Sequence, residues 1–105
     1  MTTLIIRMRV KPEKEERFLE IAHTITGAMK DNEPEVRVYG YWRTQEPYEY
    51  LMLESYLSAS ALDFHIAQHE EFRDEFGTLL SEPPEIETLG EFVMGYPDVG
   101  CLPLA

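Results

Sequence analysis

Four segments of this chain place apolar residues at every second position and two place them at every third or fourth, and the order in which they alternate leaves few folds open. "TLIIRMRV", Thr3 to Val10, sends Leu4, Ile6, Met8 and Val10 one way and Ile5, Arg7 and Arg9 the other. Pro12 then suits a first helical turn, where its missing N–H costs nothing. Glu13, Glu15 and Glu16 share that turn, where the helix dipole favours acids. Phe18, Ala22, Ile25 and Met29 follow as one stripe, and "KDNEP" ends the helix. "EVRVYGYWR", Glu35 to Arg43, is a second strand. Strict alternation puts Val36, Val38 and Trp42 on one face, with Gly40 between them, and Arg37, Tyr39, Tyr41 and Arg43 on the other. "TQEP" is a tight connection to "YEYLMLESY", Tyr48 to Tyr56, so strands two and three form a hairpin. Leu51 and Leu53 take one face of that third strand, and Tyr50, Met52, Glu54 and Tyr56 the other. Ser58 or Ser60 caps a second helix. Along it Leu62, His65, Ile66, His69, Phe72, Arg73 and Phe76 recur at spacings of three and four. "SEPPE" stops the helix, and "EIETLGEFVM", Glu85 to Met94, is a fourth strand.

The order is β-α-β-β-α-β, the ferredoxin-like α+β pattern: a four-stranded antiparallel sheet with its helices on one face. With 105 residues the chain is one domain, residues 1–94, followed by an irregular tail, 95–105. A chain of this size buries roughly two-thirds of its unfolded surface, enough for a core without covalent staples. Ile5, Tyr39 and Tyr41 make the second sheet face apolar as well. A sheet with two such faces needs a second cover, and a second copy of the chain is the simplest one. A homodimer is therefore expected, with the tail reaching onto the partner.

Twenty acids against nine bases, a net charge of −11, argue against nucleic acid and against anionic membrane surfaces. The single Cys101 excludes an intrachain disulfide and an all-cysteine metal site. A reducing cytoplasm is the expected compartment. No apolar run approaches the ~20 residues of a membrane span, and the N-terminus turns acidic too soon for a signal peptide.

"YLMLESYLSASALDFHIAQHEEF" resembles the signature region of the antibiotic biosynthesis monooxygenase (ABM) domain family. That pattern is a hydrophobic strand with a glutamate and an aromatic, a short polar turn, an alanine-leucine helix start, a histidine, and a second histidine followed by an aromatic. Glu54, Tyr56, Ala61, Leu62, His65, His69 and Phe72 stand in those places. The resemblance covers roughly residues 3 to 94. It implies a subunit that pairs into a dimeric α+β barrel and does small-molecule chemistry between sheet and helices, without a cofactor in the oxygenases of quinols and anthrones. Haem-degrading members carry an asparagine on the first strand, a tryptophan early in the second helix and a histidine further on. Arg7 or Met8, His65, and Glu75 or Phe76 lie near those places, so haem cleavage is not implied. The family's usual tryptophan at the end of strand three is Tyr56, and the only asparagine, Asn32, lies in a loop.

The chemistry-bearing residues are few. Oxygenation without a cofactor needs a substrate that becomes electron-rich on losing a proton, and so a base near neutral pKa, a dry pocket and donors for the developing oxyanion. His65 is the expected catalytic base. Tyr56, Trp42, His69, Phe76 and Glu54 are the expected substrate-binding residues. The competing reading is structural: a histidine in an apolar helix stripe is often a core residue with one nitrogen satisfied. His65 and His69 could also share an ion, but Glu70 points elsewhere on the helix and Cys101 is remote, so no metal is expected. Glu54, in a strand centre, needs a partner, and an arginine from strand one or two is the expected one. His23, amid polar residues, is expected at the surface. These residues point to a cofactor-independent monooxygenase of a small aromatic quinol or enolic molecule. The alternatives are a non-catalytic ligand-binding or accessory barrel, or an isomerase of a small hydroxyketone.

Overall fold

The computed structural model describes residues 1–95; the expected tail contact and Cys101 fall outside the described residues. The elements run β1 (Thr2–Arg9), α1 (Glu15–Asn32), β2 (Val36–Arg43), β3 (Glu49–Tyr56), α2 (Ala59–Gln68), α3 (Arg73–Thr78) and β4 (Glu85–Leu89). The strands form one antiparallel sheet in the order β2-β3-β1-β4. This is the expected ferredoxin-like α+β topology.

Each element follows from local chemistry. Pro12 opens a 3-10 turn, Pro12–Lys14, that leads into α1. From α1, Phe18, Ile21, Ala22, Ile25 and Met29 are buried against the sheet. Phe18 is the centre of that layer, with its ring 4.8 Å from Tyr50 and 5.1 Å from Phe76. Truncating such a ring to alanine costs about 3–5 kcal/mol. The Ser58 hydroxyl caps α2 by accepting from the Ala61 N–H at 3.2 Å.

The structure departs from simple periodicity in three places. The second helical segment is broken. His69 leaves helical geometry as the C-cap of α2, and a 3-10 turn, Glu70–Phe72, joins it to α3. β4 stops at Leu89, not Met94, because Leu89 already pairs with Thr3, next to the first residue of β1. The third departure matters most. Val36 pairs with Tyr56 but Val38 with Ser55, so a bulge at Arg37 shifts the register of β2. A shift of one residue exchanges the two faces of a strand. Tyr39 and Tyr41 therefore lie opposite Glu54 and Met52 and pack against the helices, not on the outer face as alternation from Val36 requires. Val38, Gly40 and Trp42 take the outer face with Ile5, Leu51 and Leu53. That face remains apolar, though with other residues than expected.

No helix among the described residues is long and apolar enough to cross a membrane.

Candidate functional site

β3 is central and its inward residues are all buried, so Glu54 (5% exposed) is a carboxylate held inside the helix-sheet layer. α2 lays His65 (8% exposed) across from it. The α2 C-cap adds His69, and the bulge in β2 adds Tyr39 and Tyr41. The last contributor comes from the end of α1. There the Glu33 N–H donates to the Met29 carbonyl, and the side chain turns inward to 6% exposure.

Glu33 ties the histidines together. Its Oε1 lies 2.7 Å from His65 Nδ1 and its Oε2 2.7 Å from His69 Nε2. An ionised carboxylate only accepts, so it draws a proton onto each of those nitrogens and leaves His65 Nε2 as the free acceptor. This is the arrangement of a base held in one tautomer by an acid behind it. His65 Nε2 lies 3.9 Å from Glu54 Oε1, too far for a hydrogen bond. Glu54 is held instead by the Tyr56 hydroxyl, which donates to Oε1 at 2.6 Å. Burial lifts the Glu54 carboxyl above its usual range, against the hydrogen bond from Tyr56 and the pull of His65.

A cavity of about 380 Å³ lies between the sheet and the α2–α3 segment. Its polar end is Tyr39, Tyr41, Glu54, His65 and His69; Leu4, Ile6, Phe72, Phe76 and Ile86 line the apolar remainder, with Arg73 also on the wall. The Tyr39 and Tyr41 hydroxyls share a 2.8 Å hydrogen bond. Burial pushes the Tyr41 phenol up to about 12 and the Tyr39 phenol higher still. Both remain protonated donors at neutral pH.

His65, His69, Glu54 and Phe76 thus line one cavity. Tyr56 is fully buried behind it and touches its wall through Glu54, to which it donates, and through the His65 ring 5.5 Å away. Trp42 does not line it: the register shift turns its ring outward, 52% exposed and over Gly40. Among the described residues Glu54 has no arginine partner. Arg7 and Arg9 sit on the outward positions of β1 and pair with Glu49, at 2.8 and 3.0 Å. His23 is exposed, as expected.

Sequence reasoning missed Glu33, Tyr39 and Tyr41. The tyrosines gave no signal, because nothing in "EVRVYGYWR" marks the bulge. Glu33 gave a faint one: a carboxylate at a helix C-terminus opposes the helix dipole and needs a reason to be there. Glu33, His65 and His69 are also the one group of His, Cys, Asp or Glu among the described residues that could hold a metal ion, with donor atoms within 4.8 Å of one another. The third donor that the helix itself lacks comes from 32 residues upstream of His65.

Comparison with known proteins agrees with this architecture. A family model described as antibiotic biosynthesis monooxygenase matches residues 1–75. A solved structure from Caulobacter crescentus is similar at a TM-score of 0.80 and 26% identity, covering 88% of this chain and 90% of that one. One from Mycobacterium tuberculosis gives 0.78 and 21%, covering 88% and 95%. A crystal structure described as antibiotic biosynthesis monooxygenase gives 0.77 and 19%, covering 89% of this chain and all of the other. No curated protein sequence matches the chain.

Proposed function

Because this chain belongs to the antibiotic biosynthesis monooxygenase family, we propose that it oxygenates a small aromatic quinol or enolic molecule without a cofactor, as a cytoplasmic homodimer. The observation that carries the reading is the Glu33-backed imidazole of His65 at the polar end of an otherwise apolar cavity.

His65 Nε2 takes the proton from the substrate hydroxyl or activated carbon, and Glu33 steadies the imidazolium that forms. The Tyr39 and Tyr41 hydroxyls share one hydrogen bond, so the one that accepts in it donates its own proton to the oxyanion as charge develops. The anion passes one electron to dioxygen. The resulting radical and superoxide combine into a peroxide, and the peroxide takes the proton back from His65 and loses water to leave a carbonyl. The apolar walls keep bulk water from the anion. The outer sheet face, with Trp42, Leu51, Leu53 and Ile5, supplies the dimer contact.

Oxygen uptake by metal-free protein against a panel of quinols and enols tests the reading. Substrate-dependent uptake is expected, falling by ~10²–10⁴ in His65→Ala. Thermal stabilisation by a quinol without any uptake would leave only a binding role. One observation favours a second reading: two acid-base groups, His65 and Glu54, stand 3.9 Å apart at one cavity wall. Such a pair could move a proton between two carbons of a hydroxyketone, and turnover without oxygen would identify that isomerase.

A further inference from the structure

We infer that Glu33, His65 and His69 form a binding site for one divalent transition-metal ion of the zinc or cobalt class, and that ion binding and base catalysis at His65 exclude one another. Ion binding follows from side-chain placement alone, whereas the exclusion rests on the base role proposed for His65.

Two imidazoles and one carboxylate are a donor set for borderline transition ions; magnesium and calcium prefer all-oxygen shells. Glu33 comes from the end of α1 and the two histidines from α2 and its C-cap, and all are buried or nearly so, with side chains 3–10% exposed. Both nitrogens already converge on one carboxylate at 2.7 Å. Ligand bonds of about 2.0–2.2 Å place neighbouring donors ~3.3 Å apart in a tetrahedral shell, so the two 2.7 Å contacts open by about 0.6 Å while the widest donor pair, within 4.8 Å, draws inward. His65 and His69 both line the cavity. Glu33 does not line it, and three protein ligands leave a tetrahedral ion one further position for water or another small ligand.

Glu54 gives the second, independent support. Coordination at His65 Nδ1 moves that ring's proton to Nε2, which faces Glu54 Oε1 at 3.9 Å. That gap is longer than a hydrogen bond, so the ring and Glu54 close by about 0.9 Å before the carboxylate accepts and completes the carboxylate–histidine–metal relay that orients ligand histidines. The same tautomer change explains the exclusion, because Nε2 becomes an N–H donor and no longer accepts a proton from substrate.

The test is equilibrium dialysis of metal-free, tag-free protein against Zn²⁺ or Co²⁺. One ion retained per chain, with the intense visible absorption of four-coordinate Co²⁺, is expected. His69→Ala and the nearly isosteric Glu33→Gln should abolish retention, and Glu54→Gln should weaken it ~10–100-fold. His23→Ala, a change at an exposed histidine, should leave it intact. No retained ion in the intact chain overturns the inference, as does retention that persists in both Glu33→Gln and His69→Ala. Activity separates the two readings. Protein that binds the ion but never consumes oxygen keeps this site and removes the oxygenase. Protein that consumes oxygen equally with and without a bound ion refutes the exclusion.

Discussion

Glu49 and Glu54 lie on one strand, five residues apart, and are buried to the same degree at 4% and 5% exposure, yet their surroundings drive them in opposite directions. An odd spacing puts them on opposite faces of the sheet. On the outer face Glu49 accepts from the Thr44 hydroxyl at 2.8 Å and from Arg9 and Arg7 at 3.0 and 2.8 Å, and these contacts hold its carboxyl below the usual range. On the helix face Glu54 has a phenol and a distant imidazole, and burial holds its carboxyl above that range. Burial alone therefore does not say what a carboxylate is for. A charge matched by cations fixes the sheet, whereas an unmatched one beside a cavity is available for proton chemistry.

The comparison can be broken most forcefully at Glu33. Glu33→Gln keeps the shape but presents an amide N–H to one imidazole, which favours the wrong tautomer. Turnover in the oxygen-uptake assay should fall by ~10²–10⁴ while the melting temperature changes little. Equal loss of fold and activity would make Glu33 a structural residue.

Next in size is the contrast between the two strand carboxylates. Glu49→Gln removes the counter-charge of two arginines and should lower the melting temperature clearly. Glu54→Gln keeps an acceptor for the Tyr56 hydroxyl and removes a charge that burial disfavours, so stability should hold or rise. Thermal melts of the two variants at pH 7 decide this, and the opposite ranking would void the distinction.

Acid titration sharpens the same point. The folded Glu49 carboxyl is lowered, so the stability it confers is complete above the ordinary value near 4.5 and is lost as pH falls through the lower folded value. Melts between pH 5 and pH 2.5 should show an acid limb that flattens in Glu49→Gln and persists in Glu54→Gln. The smallest effect belongs to Glu82, a half-exposed partner of Arg9. Glu82→Gln should fall within the scatter of the melts, because exposed ion pairs contribute little.

Much of the fold was legible because its signals are local. The pleat of β3 sorted Tyr50, Met52, Glu54 and Tyr56 from Leu51 and Leu53 correctly, and the i, i+4 spacing put His65 and His69 together. The acidic first turn and the Ser58 cap need no distant partner to act, whereas the last helix ends at Thr78, before the expected Pro83-Pro84 stop is reached. Half of the site was legible for the same reason. The rest failed where one position depends on another far along the chain. Arg7 and Arg9 are available to any carboxylate by charge, but only the pairing of β1 with β3 sets Arg9 opposite Glu49 and leaves Glu54 without a cation.

By itself, the sequence determined the order of the elements, the buried face of the first helix and the two histidines of the candidate site, since these depend on side-chain spacing along one element; on the second helical segment Ile66 and Arg73, expected in its stripe, are exposed. Tertiary structure alone decided that Tyr39 and Tyr41 face the cavity, that Trp42 does not, and that Glu33 joins the histidines. A one-residue bulge exchanges the faces of a strand at little local cost, and a contact closed across 32 residues leaves no trace in the spacing of either partner.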